Sequence, residues 1–96
     1  MSILFKFLND YISIIEYIDS LISQKEILDL RKKHLNNHLQ CILQEIEYAL
    51  IRFDKESFME NVSAKNKIRQ EIICTGKKII KINHQLTIIL KIYNES

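Results

Sequence analysis

Apolar residues recur at alternating steps of three and four along the first half of the chain, and this spacing constrains the fold more than any other feature. The run keeps one frame from Leu4 to Phe53, and only Lys25 and Lys32 interrupt it. Its members are Leu4, Phe7, Tyr11, Ile14, Ile18, Leu21, Leu28, Leu35, Leu39, Ile42, Ile46, Ala49 and Phe53. A seven-residue repeat of this kind predicts α-helices that pack along a narrow apolar seam, as in a coiled coil.

The composition supports an all-α fold. The chain has no proline and one glycine, so it lacks the residues that sheet proteins use for turns and bulges. Its nineteen isoleucines against a single valine would suit strands, but they recur at helical and not at alternating spacing. We therefore predict one helical domain over residues 1–96.

Two start signals divide the chain into three predicted helices. Ser23 and Glu26 form an S-x-x-E capping box, which would interrupt the long frame and begin a second helix. Asp54 can cap a third helix with its short carboxylate. The predicted helices cover residues 2–22, 24–53 and 55–93. We expect an antiparallel helical hairpin with a shorter N-terminal helix packed along it, a three-helix bundle with coiled-coil-like packing. An alternative is one very long helix through Ser23.

Unequal helix lengths predict two uncovered apolar zones. At about 1.5 Å per residue the helices would be roughly 30, 45 and 60 Å long, so the first covers only part of the hairpin. The hairpin tip and the C-terminal end of the third helix stay exposed, and such zones favour a partner protein or a homodimer. The candidate partner-binding residues are Tyr48, Ile51, Phe53, Phe58, Met59, Ile88, Ile89, Ile92 and Tyr93.

Three metal-ligating residue types fall on one side of a predicted helix. His34, His38 and Cys41 stand at i, i+4 and i+7, a spacing that can bring imidazole and thiolate to one zinc ion. A fourth ligand is missing nearby, and Arg31 with the lysines that follow it opposes a cation. We interpret the three as boundary residues of the bundle and expect no metal and no cofactor.

The same stretch resembles the Arg-x(4–6)-His element of the helical HEPN ribonucleases, with Arg31 and His38 in the two roles. That resemblance implies RNA cleavage that depends on His38. The chain offers no glycine-rich phosphate loop and no recognisable Cys–His catalytic pair. We expect a protein that is not an enzyme and that has no small-molecule substrate.

Positive charge is concentrated in one segment. Residues 61–91 hold seven lysines and arginines against one glutamate, although the net charge of the whole chain is only +2. Such a surface can bind nucleic acid through its phosphates. Aromatic residues do not alternate with these cations, and a solvated helix face or a site for an acidic protein explains them equally well. A nucleic-acid-binding regulator is the alternative function.

The apolar N-terminus is expected to be neither a signal peptide nor a membrane span. Lys6, Asp10, Glu16 and Asp19 interrupt it, and no basic region precedes the apolar run. The two cysteines are interpreted as reduced, buried thiols. Together these features predict a cytoplasmic protein that does not enter a membrane.

The stretch "YALIRFDKESFMENVSAKNKIRQEI", residues 48–72, reads as the end of one helix, an aspartate-marked turn and an acidic and aromatic start of the next. It resembles the small helical chaperones of flagellar and type III export, of the FliT and FlgN kind. The resemblance implies a long hairpin that holds the amphipathic helix of a secreted subunit in an apolar groove. We expect a non-catalytic protein-interaction module of this kind, or a small adaptor or regulator.

Overall fold

The chain folds into two long helices that lie side by side. The computed structural model describes the backbone of residues 2–95 and the side chains of residues 9–92 and 94. Over these residues α1 spans Ser2–Ile51 and α2 spans Lys55–Glu95, with residues 52–54 as the turn between them. The result is a rod of 77 × 18 × 14 Å. The all-α class and the antiparallel hairpin are confirmed.

The two helices meet along the predicted apolar seam. The buried residues of α2 are Ile68, Thr75 and Ile82, which follow one another at intervals of seven. On α1 the buried residues Leu21, Ile42 and Ala49 are also separated by multiples of seven. This register is the one in which a seven-residue repeat keeps the same side of each helix against its neighbour. The seam is therefore a two-stranded antiparallel coiled coil.

The three-helix bundle is wrong, because α1 continues through the predicted capping box. Ser23 and Glu26 are both exposed within an unbroken helix, and Gln24 donates a side-chain hydrogen bond to the Ser20 hydroxyl at 3.2 Å. A serine inside a helix costs only about half a kcal/mol relative to alanine. A new helix start would instead leave several backbone groups without helical partners. The helices predicted at 2–22 and 24–53 are thus one.

The turn between the helices is built by hydrogen bonds on both of its sides. The backbone N–H of Phe53 donates to the Leu50 carbonyl at 3.2 Å, and that of Asp54 donates to the Ala49 carbonyl at 2.9 Å. This pair is a Schellman motif, which closes α1. The Asp54 carboxylate then accepts from the Ser57 N–H at 3.1 Å and caps α2. The predicted Asp54 cap is confirmed.

A two-helix rod leaves far more surface in solvent than a compact protein does. Its accessible surface is 7928 Å², whereas a compact chain of 11.5 kDa has about 5,800 Å². Its radius of gyration is 21.7 Å, against about 12 Å for a compact domain of this length. No third helix covers the hairpin, so many isoleucines of both helices are exposed along the described part of the chain.

Candidate protein-interaction surfaces

A groove opens on one side of the seam, between the N-terminal half of α1 and the C-terminal half of α2. Its volume is about 530 Å³. We call it the lysine groove, and its lining residues are Tyr17, Leu21, Gln24, Ile27, Leu28, Lys78, Lys81, Ile82 and Gln85. The α1 residues and the α2 residues face each other across it because the two helices run antiparallel.

The lysine groove combines an apolar floor with a positive rim. Leu21 and Ile82 belong to the buried seam, while Tyr17 and Ile27 are exposed. Lys78 and Lys81, one turn apart on α2, are exposed and supply the charge. None of the nine lining residues is acidic. A ligand that presents apolar groups to the floor and carboxylates to the rim would satisfy both parts.

A second, smaller cavity of about 300 Å³ lies at the hairpin tip. It is lined by Ala49, Leu50, Phe53, Asp54, Lys55 and Phe58. Phe53 has a φ of 56° and is the only residue other than glycine with a positive φ in the described chain. Its side chain is 94% exposed. A left-handed conformation costs such a residue roughly 1–2 kcal/mol, and with the ring this exposed little packing within the chain offsets that cost.

The tip residues predicted to bind a partner fall into two groups. Tyr48, Ile51, Phe53 and Met59 are exposed, whereas Phe58 is half-buried at the start of the α2 seam. The backbone carbonyl of Tyr48 accepts the Nε–H of Arg52 at 3.3 Å, which holds the arginine back along the last turn of α1. The exposed members surround the turn and do not form one continuous groove with the lysine groove.

The predicted C-terminal residues adjoin the lysine groove. Ile88 stands seven residues after Lys81 and Ile92 seven after Gln85, so both continue the groove side of α2, and both are exposed. Ile89 is half-buried on the seam. The side chain of Tyr93 lies outside the described residues.

Sequence reasoning missed the α1 half of this surface. The three-helix prediction puts Tyr17 and Ile27 on different helices, and it includes neither among the candidate binding residues. The apolar frame keeps its register across Ser23, and this was the signal that could have found them, because it places both residues on one helix. In the structure both line the lysine groove.

The histidines and the cysteine of the first helix are spread over an open surface. His34, His38 and Cys41 are all exposed. Cys74 is exposed as well, so the expected burial of the two thiols is wrong. Among the residues whose side chains are described, no group of three or more His, Cys, Asp or Glu is arranged to hold a metal ion. His34 and Cys41 follow Ile27 at intervals of seven, so they continue the groove side of α1 toward the tip.

Comparison with known proteins finds no matching family model, no matching curated protein and no matching solved structure. Over its described residues the chain also has no helical stretch of the length and apolarity that a bilayer crossing requires. The function of the chain is therefore inferred from the exposed residues and the charges of the rod itself.

Proposed function

We propose that this chain is a non-catalytic protein-interaction module that binds an acidic amphipathic helix of a partner protein in the lysine groove. The observation that carries the proposal is the pairing of an apolar floor at Leu21 and Ile82 with a rim of Lys78 and Lys81. Helix-in-groove recognition uses apolar anchors at i, i+3, i+4 and i+7, and flanking charges select the partner and its register.

The dimensions of the groove suit a helix of three to four turns. The α1 wall extends over residues 17–28, and the α2 wall continues from residue 78 to residue 92. At about 1.5 Å per residue these walls are roughly 17 and 21 Å long. Ile88 and Ile92 extend the apolar lining past the lysines, so a bound helix would contact these two of the predicted C-terminal residues.

The exposed hairpin tip is proposed as a second contact region for a longer partner. Phe53 is almost fully exposed and Ile51 and Met59 are mostly so. Large exposed apolar side chains grouped in one place are typical of surfaces that bind other proteins. A small adaptor or a chaperone of export substrates would use the rod in this way. Action in the cytoplasm suits the two free, exposed thiols of Cys41 and Cys74.

The test uses a fluorescent model peptide of about three heptads, with leucine at the apolar positions and alternating glutamate and alanine elsewhere. Fluorescence anisotropy against the full chain should show saturable binding. The double variant Lys78→Glu/Lys81→Glu should weaken that binding at least about tenfold, since rim charges set the approach of the acidic helix.

The matched control is Lys33→Glu/Lys67→Glu, which changes the net charge equally but alters exposed residues that lie outside both walls of the groove. It should bind the peptide like the unchanged chain. Equal loss in both double variants would show attraction to net charge alone and would overturn the proposal. A chain that ignores the peptide, yet binds duplex DNA or single-stranded RNA with steep salt dependence, would establish the nucleic-acid alternative instead.

A further inference from the structure

The outer surface of α2 carries a second stripe of mostly uncharged residues, which the hairpin itself does not use. The stripe lies roughly 100° around the helix from the seam and again follows steps of three and four. Its members are Met59, Val62, Asn66, Arg69, Ile73, Gly76, Ile80, Asn83, Thr87 and Leu90. Only Val62 and Gly76 are half-buried, and the other eight are exposed. We propose that a second copy of the chain packs on this stripe, with the two α2 helices antiparallel.

Gly76 is the first reason to expect that another helix packs closely against this side of α2. A glycine in a helix interior costs about 1 kcal/mol relative to alanine, so its presence needs a cause. Packing within the chain supplies none, because a Cβ built at Gly76 would have no atom within 4 Å beyond its two chain neighbours and the adjacent backbone of its own helix. Ile73 and Ile80, one turn to either side, are 50% and 69% exposed. Isoleucines flanking a bare backbone form the hole into which a side chain of another helix fits.

The order of residues along the stripe is self-complementary, and this property identifies the occupant as a second copy. A two-fold axis can be placed across α2 midway between residues 74 and 75. The α2 helices of the two copies then run antiparallel and overlap over nearly their whole length, residues 55–95. Each Ile73 then lies over the Gly76 of the other copy. The remaining pairs are Met59 with Leu90, Val62 with Thr87, Asn66 with Asn83, and Arg69 with Ile80.

These pairs match in chemistry. Apolar residues meet apolar residues at Met59 and Leu90, and the two asparagines can hydrogen-bond to each other. Arg69 is the only charged residue in the stripe, so no like charges meet, and its aliphatic stem can cover Ile80 while the guanidinium reaches water. The Thr87 hydroxyl already donates to the Asn83 carbonyl at 2.8 Å, which leaves its methyl group for Val62.

The amount of exposed surface agrees with a dimer. The chain exposes about 2,100 Å² more than a compact monomer of its mass would. Obligate homodimers bury about 2,000–5,000 Å² in total, or about 1,000–2,500 Å² for each chain. The excess surface of one hairpin is therefore of the size that a second copy removes. The stripe and the lysine groove lie on different sides of α2, and of the proposed partner-binding residues only Met59 at the hairpin tip also belongs to the stripe. The dimer therefore does not depend on binding in the groove.

The first experiment is light scattering during size-exclusion chromatography, with the full chain over a range of concentrations. The unchanged chain should elute with twice the mass of 11.5 kDa. The double variant Ile73→Glu/Leu90→Glu should elute as a monomer with unchanged helical circular dichroism, because both side chains are exposed in the hairpin and neither pairs with a cation in the dimer. Ile27→Glu, a change at an exposed residue on the groove side, should remain a dimer.

The same variants separate the two proposals. Ile73→Glu/Leu90→Glu should bind the acidic model peptide as before, whereas Ile27→Glu should lose it and still dimerise. A monomeric unchanged chain, or a double variant that remains dimeric, would overturn the dimer without affecting the groove.

The register is tested by cysteine pairing after Cys41→Ser and Cys74→Ser remove the native thiols. Asn66→Cys combined with Asn83→Cys should give dimers linked by two disulfides on mild oxidation. Within one chain these positions are about 26 Å apart along α2, too far to pair. Asn66→Cys alone should stay largely unlinked. Rapid linking of the single variant, or none of the double variant, would overturn the register.

The close approach at the glycine is tested by Gly76→Leu, whose side chain would fill the space that Ile73 of the second copy occupies. This change should raise the dimer dissociation constant at least about tenfold, since overpacking a tight contact costs about 1–3 kcal/mol. Light scattering over a dilution series measures the constant. An unchanged value would overturn the close approach.

Discussion

The Asp54 carboxylate accepts a hydrogen bond from the backbone N–H of Ser57 at 3.1 Å, and α2 begins at Lys55, directly after Asp54. Asp54 also donates its own N–H to the Ala49 carbonyl, the last step in closing α1. One residue thus ends the first helix and starts the second.

Asp54→Ala should lower the free energy of unfolding by about 1 kcal/mol, because the first turn of α2 loses its side-chain acceptor. Urea unfolding followed by circular dichroism measures this change at a fixed protein concentration, since association also affects stability. Asp54→Ser retains an acceptor and should cost only a few tenths of a kcal/mol. Equal stability of the alanine variant and the unchanged chain would show that the cap contributes nothing.

Ser23→Ala should leave stability unchanged or raise it by up to about 0.5 kcal/mol, because alanine is the better residue in a helix interior. If Ser23 capped a separate helix, the same change would cost about 1 kcal/mol. The sign of the effect therefore distinguishes the continuous α1 from the two shorter helices. Urea unfolding in parallel with Asp54→Ala provides the comparison.

Phe53→Gly should raise the free energy of unfolding by about 1 kcal/mol, because glycine adopts a positive φ without steric cost. Phe53→Ala removes the exposed ring but keeps the backbone cost, so its stability should stay close to that of the unchanged chain. Thermal unfolding of the three chains tests the difference. A glycine variant no more stable than the alanine variant would mean that the left-handed residue carries no strain.

Gly76→Ala should stabilise the monomeric hairpin by about 0.5–1 kcal/mol, since the added methyl group meets no other atom of the chain. The measurement is made in the Ile73→Glu/Leu90→Glu background, where we expect self-association to be removed. A destabilised alanine variant in that background would reveal a constraint at Gly76 within the hairpin itself.

Ile42→Ala should lower the free energy of unfolding by about 2–5 kcal/mol, because Ile42 is only 6% exposed in the seam. Ile27, on the same helix and 67% exposed, is the matched control. Its change to alanine should alter stability by less than about 0.5 kcal/mol. Similar losses in both variants would contradict the register of the coiled coil.

The seam and the turn were predictable because local rules determine them. The apolar frame identifies the side of α1 that is buried at Leu21, Ile42 and Ala49, although its last member, Phe53, is exposed. Asp54 is a cap by its chemistry and position. The error at Ser23 came from a local motif that fits two states. A serine and a glutamate three residues apart are also compatible with the solvent side of a long helix. The apolar frame resumes at Leu28 in the same register, and this favours the single helix.

The candidate surfaces were predictable only in part, because they are made by residues distant in sequence. Ile88 and Ile92 were predicted as binding residues from the excess of apolar residues at the end of α2. That they share one side of the rod with Tyr17 and Ile27 depends on the antiparallel register of the two helices. In the sequence alone, Lys78 and Lys81 are simply two of the cations in a basic segment. Only their position over Leu21 and Ile82 makes them the rim of a groove.

By itself the sequence determined that this chain is helical, where its turn lies and which residues form the seam, since these depend on spacing and on neighbours within a few positions. The tertiary structure decided that α1 is a single helix of 50 residues, that no third helix covers the described hairpin, and which exposed side chains share a surface. The reason is that burial depends on contacts between residues far apart in the chain. No pattern along one segment reports whether another element covers it.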